Sequence, residues 1–354
     1  MDLHLFIAGT GGVGKALLMQ IRNKHGFLCQ NQDLNLVVNG IINSRWMRLS
    51  REGISLDDSW EDRDHPECRE ADLLEFISYI QRLQISNALF VDVSASDLVA
   101  ATYLTLLQHG VHVVACNKIA CSAPMSHYTR LKAASQEGGA AFLYHTNVGA
   151  ALPYLQSIRQ LYLAGERIDR MEAVLSGTLS YLFGRYDGSE PFAQIVRQAH
   201  QAGYTEPDPR TDLQGIDVMR KLLILCREMG VSLEEKEVVK TPFVPESCLQ
   251  GSLEDFYAAL ACNEAHFKRL YQEAQSQGGR LKYIASYGDG KAAIGLQCIL
   301  PDHPIYPIGP KENILLIYSE NYISPLTITG AGAGAQGTAM GVLSDIVAIA
   351  HDYF

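Results

Sequence analysis

A glycine-rich turn near the amino end of the chain constrains its fold more than any other feature. Residues 9–14 read Gly-Thr-Gly-Gly-Val-Gly and follow an apolar run at residues 3–8 that is typical of a buried strand. Helical spacing covers residues 15–23, with a stop near Gly26, and residues 34–42 form a second strand-like run. Missing side chains let a backbone approach a pyrophosphate at a helix amino end, so this βαβ pattern favours dinucleotide binding over a plain tight turn. The candidate contacts are Gly9, Gly11, Gly12, Val13 and Gly14.

The end of the second strand indicates which dinucleotide fits. An acid at this point would accept hydrogen bonds from a ribose 2′-hydroxyl, but the chain reads Asn43-Ser44-Arg45. An arginine is suited to a 2′-phosphate, so Ser44 and Arg45 predict NADP as the cofactor, with NAD as the second candidate. The alternative is that Arg45 only covers the surface.

Two further strand-like runs end in polar residues. The predicted elements are an irregular charged loop at residues 60–69, helices at 71–83 and 97–109, and strands at 88–94 and 111–118. Open parallel sheets bind ligands outside the carboxyl ends of their strands, so Ser94 and Lys118 are candidate cofactor contacts. The alternative is that Lys118 is an ordinary lysine at the end of a strand.

An acid-rich turn in the middle of the chain runs into a helix. Residues 204–212 read Tyr-Thr-Glu-Pro-Asp-Pro-Arg-Thr-Asp, and the prolines stiffen the turn and exclude a helix through it. In the helix that follows, Asp217 and Lys221 share a face, and an apolar run comes after Lys221. A lysine held against an apolar wall beside acids is a candidate proton carrier. The alternative is a solvated ion pair, which stabilises a helix by about 0.2 to 0.5 kcal/mol.

Composition limits the classes of function. The 354 residues are 47% hydrophobic, which suffices for a sizeable core and two domains. A net charge of -10 disfavours nucleic acid or an anionic membrane surface as the main partner, and neither a secretion signal nor a long apolar run is apparent. The eight scattered cysteines form no C-x-x-C pair, which predicts reduced thiols in a cytoplasmic protein without a zinc site.

The second half of the chain predicts an α+β domain. Helical spacing recurs at residues 154–163, 192–202 and 253–277, and strand-like runs occur at 168–175, 281–286, 292–299, 314–319 and 325–329. We therefore predict an α/β fold with a Rossmann-type nucleotide-binding domain over residues 1–150 and a second domain over residues 151–329. Residues 330–354 are expected to return to the first domain as a helix, bringing Gly334 beside the cofactor; a flexible turn is the alternative.

Over nearly its whole length the sequence resembles the homoserine dehydrogenases. Besides the glycine turn and Asn117-Lys118, residues 146–150, 176–181, 203–221 and 330–334 occur in the order seen in that family. The most specific match is Gly-Tyr-Thr-Glu-Pro-Asp-Pro-Arg with Asp217 and Lys221 after it. The Ser-Gly-Thr-Leu-Ser-Tyr segment looks most like the dehydrogenase half of bifunctional aspartokinase/homoserine dehydrogenases. A kinase-like segment is not apparent, so we expect either a compact enzyme or a portion of a longer one, with a fused or separate aspartokinase.

The resemblance implies a reaction and a set of partners. The reaction is the reversible NAD(P)-dependent interconversion of L-homoserine and L-aspartate 4-semialdehyde, a step in threonine, methionine and isoleucine biosynthesis. The second domain would bind the substrate and support a homodimer through its sheet. Relatives also bind a structural monovalent cation through backbone carbonyls at positions matching His145, Val148, Ala150 and Leu152. His145 stands where some relatives have Glu, and a simple interdomain hinge is the alternative interpretation of this segment.

The resemblance also implies roles for individual side chains. Lys118 and Lys221 would lie near the reacting oxygen, with Lys221 the proton donor in aldehyde reduction, and Asp212 and Asp217 would lie near the substrate and this lysine. A further set would bind the substrate: Glu206 facing its ammonium, helped by Thr178 and Tyr204. The chain departs from the family at Thr211, where many relatives have an acid, and at Ala151, where glycine is more usual.

The residue types suit this chemistry. Hydride addition to an aldehyde builds negative charge on oxygen, which a nearby ammonium stabilises and protonates. An acid in a stiffened turn holds an ammonium at little entropic cost, although Glu206 could instead cap the following helix. Two other functions stay open: a noncatalytic NADP-binding regulatory module, or another semialdehyde dehydrogenase, which would need a nucleophilic cysteine. Cys116 and Cys121 show no paired histidine motif.

Overall fold

The computed structural model describes residues 1–57, 60–83, 85 and 87–353. The chain divides into two compact units, Met1–Ala151 with Ala333–Phe354, and Leu152–Gly332. We call these the first and the second unit. In the described part of the chain, no helix combines the length and the apolar character needed to span a membrane.

Strands and helices alternate through most of the first unit, whereas the second unit contains runs of consecutive helices and of consecutive strands. The strands are β1 (Asp2–Ala8), β2 (Asn35–Ile42), β3 (Trp46–Leu49), β4 (Cys68–Glu70), β5 (Ala88–Asp92), β6 (His112–Ala115), β7 (Phe142–Leu143), β8 (Ile168–Val174), β9 (Val239–Thr241), β10 (Arg280–Gly288), β11 (Lys291–Ile299), β12 (Glu312–Ser319) and β13 (Leu326–Ala331). The helices are α1 (Gly12–Gln32), α2 (Leu73–Leu83), α3 (Asp97–Ala100), α4 (Tyr103–Gln108), α5 (Ile119–Ser122), α6 (Met125–Glu137), α7 (Tyr154–Leu163), α8 (Gly177–Arg185), α9 (Phe192–Gln201), α10 (Pro209–Leu213), α11 (Ile216–Glu228), α12 (Leu253–Cys262), α13 (Glu264–Ser276) and α14 (Ala335–Tyr353). Short 3-10 helices lie at His145–Asn147, Glu235–Glu237 and Glu246–Leu249.

The first unit is built on a seven-stranded sheet in the order β4-β3-β2-β1-β5-β6-β7. Strands β2, β1, β5, β6 and β7 run parallel, and β3 and β4 extend the sheet as antiparallel strands. The chain leaves β1 towards β2 and later returns to the other side of β1 as β5, so the strand order reverses between β1 and β5. Ligands bind outside the carboxyl ends of strands at such a reversal, which here lies after Ala8 and Asp92. The predicted α/β fold class is confirmed.

Helix α1 is longer than the sequence predicts. It runs through the exposed Gly26 to Gln32, and Asp33 ends it in a left-handed conformation. Leu28 continues the apolar face of Leu17 and Ile21 and is buried in the same core. A glycine within a helix costs about 1 kcal/mol, which is less than the roughly 1.5 to 3 kcal/mol gained by burying a leucine side chain.

The carboxyl-terminal helix α14 belongs to the first unit. Its residues Val342 and Ile346 are buried in one cluster with Leu17 and Ile21 of α1. The first residue of α14 approaches the glycine turn, because a Cβ at Gly12 would lie 3.6 Å from that of Ala335.

The prediction of an irregular loop at residues 60–69 is partly wrong. Cys68 begins the short strand β4, which pairs with β3, another strand that the periodicity does not reveal. The buried Arg48 of β3 holds this segment, since its Nε donates to Glu67 at 3.1 Å and its Nη2 lies 3.0 Å from His65 Nε2. Strand β3 has four residues, all of them buried, and β4 has only three, so neither shows an alternating apolar pattern.

The second unit contains a six-stranded sheet in the order β13-β12-β8-β10-β11-β9. All neighbours are antiparallel except β11 and β9, which are parallel. Helix α11 is the most deeply packed helix here, and every residue from Leu222 to Glu228 is buried.

Two helices predicted as continuous are interrupted, and a short helix lies within the predicted turn. The helix at 97–109 divides into α3 and α4, where the Thr102 hydroxyl donates to the Val99 carbonyl at 2.8 Å. The helix at 253–277 divides at Asn263, whose side-chain amide donates to the Ala259 carbonyl at 2.8 Å. The backbone N–H groups of Thr102 and Asn263 reach the same carbonyls, at 3.0 and 3.1 Å, so at both breaks a side chain shares the acceptor of a backbone hydrogen bond. Pro209, expected to exclude a helix, instead begins α10, because proline has no N–H to lose at a first helical position.

Candidate active site

The glycine turn after β1 has the geometry of a phosphate-binding loop. Gly9 has φ +112°, and a Cβ on it would lie 2.8 Å from the Val93 backbone. A Cβ on Gly14 would lie 2.1 Å from the Gly9 carbonyl oxygen, whereas one on Gly11 would meet no atom within 4 Å. Gly9 and Gly14 are therefore required by packing, and Gly11 leaves open space in front of α1. No side chain caps the amino end of α1, so its first N–H groups are available to an anion.

A cleft of about 1030 Å³ opens along the carboxyl ends of β1, β2 and β5. The predicted cofactor residues that line it are Gly9, Gly11, Ser44, Arg45 and Ser94. Gly12, Val13 and Gly14 form the first turn of α1 behind it, and Gly334 immediately precedes α14, whose first residue approaches Gly12.

Asn43 shapes the part of the cleft that carries Arg45. Its side-chain oxygen accepts hydrogen bonds from the backbone N–H groups of Arg45 and Trp46, at 2.8 and 3.0 Å. Its amide donates to the Thr10 hydroxyl at 2.9 Å, which ties the end of β2 to the glycine turn. The exposed Arg45 side chain thus projects from a fixed backbone.

Sequence reasoning missed three charged residues that line the same cleft. Lys15, Glu61 and Arg63 all border it, and the Lys15 ammonium lies 2.7 Å from a Glu61 carboxylate oxygen. Glu61 and Arg63 come from the segment between β3 and β4, which was predicted only as an irregular charged loop. The signal that could have found them is the run of charge itself, since a loop following the second strand of a βαβ unit lies near the nucleotide.

A buried polar network holds the segment that carries Lys118. The Asp92 carboxylate, fully buried at the end of β5, accepts hydrogen bonds from the Tyr103 hydroxyl at 2.5 Å and the Asn117 amide at 3.0 Å. Asn117 also donates to the Ser96 carbonyl at 3.1 Å, and Asp92 accepts from the Ser94 N–H at 2.7 Å. Burial raises the pKa of Asp92, and the hydrogen bonds from its neighbours oppose this rise. The network fixes the loop after β5 and the backbone next to Lys118 together.

Lys221 is held at two points in the second unit. Its ammonium lies 2.7 Å from the Asp217 carboxylate and donates a hydrogen bond of 2.7 Å to the Leu175 carbonyl. The Lys221 side chain is only 12% exposed, whereas that of Asp217 is 50% exposed. The predicted helical pair is therefore present, and its lysine is mostly buried against the end of β8.

Asp212 brings the predicted substrate residues together. Its carboxylate accepts from the Glu206 backbone N–H at 2.8 Å and lies 2.9 Å from the Thr178 hydroxyl, which also donates to the Tyr204 carbonyl at 2.6 Å. Burial raises the pKa of Asp212, and the negative charges of Glu206 and Asp217 raise it further. Asp212 thus holds the turn, and the carboxylate of the exposed Glu206 does not cap the following helix. That role belongs to Asp208, whose side chain accepts from the Arg210 N–H.

The predicted cation-binding segment has an unusual backbone. Gly149 and Ala150 have φ values of +82° and +53°, and no hydrogen-bond donor among the described residues reaches the carbonyls of Val148 or Ala150. Next to them, His145 Nδ1 lies 2.6 Å from an Asp345 carboxylate oxygen, and the His145 N–H donates to the other oxygen at 3.2 Å. Leu152, the fourth predicted residue, belongs to the second unit. Over the described ranges, no group of histidine, cysteine and acidic side chains could hold a metal ion.

The cysteines near the cleft are poor nucleophiles. Burial raises the pKa of the Cys116 thiol to about 12, and Cys121 is fully buried. A thiol with so high a pKa is protonated at neutral pH, and the thiolate is the reactive form. This argues against a dehydrogenase that acts through a cysteine adduct.

Comparison with known proteins identifies the family. Residues 9–145 match the family model "Homoserine dehydrogenase, NAD binding domain", and residues 153–347 match the model "Homoserine dehydrogenase". The bifunctional aspartokinase/homoserine dehydrogenase of Haemophilus influenzae is 34% identical over 98% of this chain and 42% of its own length. Bifunctional aspartokinase/homoserine dehydrogenase 2 of Escherichia coli is 35% identical over 99% of this chain and 43% of its own length. The chain thus spans about two fifths of these curated relatives.

Solved structures share the fold over nearly the full chain. A Candida auris protein of unknown function is 26% identical with a TM-score of 0.90, over 99% of both chains. A hyperthermophilic archaeal homoserine dehydrogenase in complex with NADPH has a TM-score of 0.78 at 20% identity, over 100% of this chain and 99% of that one. With both family models covering successive parts of the sequence, the chain belongs to the homoserine dehydrogenase family.

Proposed function

We propose that this chain catalyses the reversible interconversion of L-homoserine and L-aspartate 4-semialdehyde with a nicotinamide dinucleotide. The observation that carries the proposal is the Lys221 ammonium, largely buried and bound by Asp217 and the Leu175 carbonyl, on the helix that follows the Glu206 turn. A simple surface ion pair would not bury the lysine in this way. Family membership supports the same conclusion.

Lys221 is the proposed proton donor. When bound, the nicotinamide cofactor supplies the hydride for aldehyde reduction. Negative charge then develops on the former carbonyl oxygen, and the Lys221 ammonium stabilises it and delivers a proton. In the oxidative direction the neutral amine accepts the proton from the hydroxyl. Asp217 orients the amine, and Lys118 is proposed as the second lysine at the reacting oxygen, on a backbone fixed by the Asp92 network.

The turn held by Asp212 is the proposed substrate-binding element. Glu206 faces the substrate ammonium, with Thr178 and Tyr204 supporting the turn through the hydroxyl-to-carbonyl hydrogen bond. Because Asp212 holds the Glu206 backbone directly, little freedom is lost when an amino acid binds. The same rigidity makes Asp212 a positioning residue.

The cleft of the first unit fits a dinucleotide, and we propose NADP in preference to NAD. The open space at Gly11 and the uncapped first turn of α1 suit a pyrophosphate. Lys15 is paired with Glu61, so Arg45 and Arg63 leave the cleft with net positive charge, while no acid stands at the end of β2 to bind a free ribose hydroxyl. Gly334 is proposed to lie beside the bound cofactor.

A monovalent cation is proposed at the carbonyls of His145, Val148, Ala150 and Leu152. The carbonyls of Val148 and Ala150, without donors in the described part of the chain, suit an ion that prefers neutral oxygen ligands. Thermal unfolding in sodium, potassium and tetramethylammonium chloride at equal ionic strength tests this. We expect a higher Tm in one alkali ion, whereas identical Tm values in all three salts would leave a hinge as the role of this segment.

The assembly and setting are also proposals. We propose a homodimer formed through the sheet of the second unit, association with a fused or separate aspartokinase, and a place in threonine, methionine and isoleucine biosynthesis. The bifunctional relatives support the kinase association. A cytoplasmic location is supported by the eight cysteines, all of which are in the reduced form.

The deciding assay follows NADPH absorbance with L-aspartate 4-semialdehyde, and NADP reduction with L-homoserine. We expect turnover in both directions. Succinic semialdehyde, which lacks the ammonium, is the control substrate and should react poorly. Binding of NADPH without turnover of either amino acid would instead identify a noncatalytic NADP-binding module.

A further inference from the structure

Three cations near the substrate turn are paired with carboxylates. Arg210 binds Asp208 at 2.6 Å and Lys221 binds Asp217 at 2.7 Å. Arg185, whose Nη1 donates to the Tyr181 hydroxyl, binds Glu190 at 3.2 Å. Lys311 is different, because it forms no ion pair with any carboxylate in the described part of the chain and its ammonium instead lies 5.6 Å from the centroid of the Tyr204 ring.

The backbone that presents Lys311 is fixed on both sides. The Ile308 carbonyl accepts a 2.6 Å hydrogen bond from the buried Lys282 ammonium, and the Gly309 N–H donates to the Glu312 carboxylate at 3.0 Å. Pro310 packs against α8, since a Cβ on Gly184 would lie 3.0 Å from that of Pro310. Helix α8 also carries Thr178, so the loop and the turn rest on the same helix.

The turn by itself is too acidic to bind an amino acid at both ends. The charges of Glu206 and Asp217 both raise the pKa of Asp212, so three carboxylates lie within electrostatic range of one another. Such a field attracts the α-ammonium of homoserine and repels its α-carboxylate. A site for the zwitterion therefore needs a cation beside the turn that is not already neutralised by a protein acid.

We propose that Lys311 binds the α-carboxylate of the substrate and thereby selects amino acids over amino alcohols and amides. This rests on the proposed function, in which Glu206 binds the α-ammonium. Tyr204 is two residues before Glu206, and the Lys311 ammonium lies 5.6 Å from the centroid of its ring, so this lysine stands beside the turn that carries Glu206. The tilted pair of Tyr181 and Tyr204, with centroids 4.7 Å apart, supports the ring in this position.

The test compares L-homoserine with L-homoserine amide, which keeps the ammonium and the hydroxyl but has no carboxylate charge. Lys311→Met should raise KM for homoserine about tenfold, as expected for a charge-assisted contact at an exposed site, and leave KM for the amide unchanged. Lys311→Arg should restore KM to within about threefold of the wild-type value, since it keeps the charge. Lys291→Met, on the exposed start of β11, removes the same charge elsewhere and should leave both KM values unchanged.

Several results would overturn the assignment. An unchanged homoserine KM in Lys311→Met would limit Lys311 to packing on Tyr204, even if Tm falls. An equal rise in KM for homoserine and for the amide would lead to the same conclusion. Calorimetric binding of homoserine to each variant separates this proposal from the activity. If the wild-type chain binds homoserine but does not turn it over, only the proposed function fails and the binding comparison still tests Lys311. If the wild-type chain neither binds nor reacts with homoserine, both fail.

Discussion

Asp217 and Lys221 lie one helical turn apart on α11, and their charged groups are 2.7 Å apart. The pair is asymmetric, because the carboxylate is half exposed while the lysine is mostly buried and also bonds the Leu175 carbonyl. A carboxylate that remains accessible can hold the amine in one orientation without removing it from the substrate. This asymmetry separates the pair from an ordinary surface ion pair.

Replacing Lys221 tests the proton donor. Lys221→Met should lower kcat about 10²- to 10⁴-fold, the range for loss of a general acid, and leave the NADPH Kd unchanged. The glycine turn belongs to the other compact unit, so folding and cofactor binding serve as internal controls. Arg220→Met is the matched control, since Arg220 is exposed and adjacent on the helix. A kcat within a few fold of wild type would refute the assigned role.

Arg45 tests cofactor choice. Arg45→Glu should raise the NADPH Kd about 10- to 100-fold, through loss of a charge-assisted contact and added repulsion, and change the NADH Kd much less. The chain has two tryptophans, and Trp46 lines the cleft with its ring centroid 6.5 Å from that of Trp60. Energy transfer from tryptophan to the bound reduced cofactor therefore measures both Kd values. Equal losses for the two cofactors would mean that Arg45 only covers the surface.

Glu206 and Asp208 separate substrate binding from helix capping. Glu206→Gln should raise the homoserine KM about tenfold or more and leave Tm unchanged, because its side chain does not cap α10. Asp208→Ala should lower stability by about 1 kcal/mol, since Asp208 is the cap. Steady-state kinetics and thermal unfolding of both variants check this. An unchanged KM in Glu206→Gln would remove Glu206 from the substrate site.

The environment of His112 predicts that the first unit loses stability at acidic pH. Its Nδ1 accepts the Ala141 N–H at 2.9 Å, so protonation at this nitrogen breaks the bond, and burial lowers the His112 pKa from 6.5 to about 4. The unfolded state therefore binds a proton at higher pH than the folded state. The associated stability is present above pH 6.5 and is lost as the pH falls towards 4, by up to about 3 kcal/mol.

Denaturant unfolding between these two pH values measures the effect. His112→Gln keeps a hydrogen-bond acceptor near Ala141 but does not titrate, so its stability should depend less on pH than that of the wild type. Parallel pH profiles for the two proteins would contradict the prediction.

Local patterns were sufficient for several parts of the molecule. The glycine turn, the first parallel strands and the pairing of Asp217 with Lys221 depend on residues close in sequence, and the structure contains all of them. The predicted ends of helices were less accurate where a local signal in the sequence conflicted with packing in the core. Gly26 indicated a helix stop, but the burial of Leu28 extended α1 beyond it.

The sequence by itself determined the α/β class, the glycine turn after β1 and the pairing of Asp217 with Lys221 on α11. These features follow from the spacing of residues along the chain. Only the tertiary structure decided that Asp92 reaches Asn117, that Asp212 holds Thr178 and Glu206, and that Lys311 lies over Tyr204. These contacts join residues far apart in the chain, or fix the direction of a side chain, and neither leaves a periodic signal. Lys311 comes to lie beside the acid-rich turn only because the loop before β12 packs against α8.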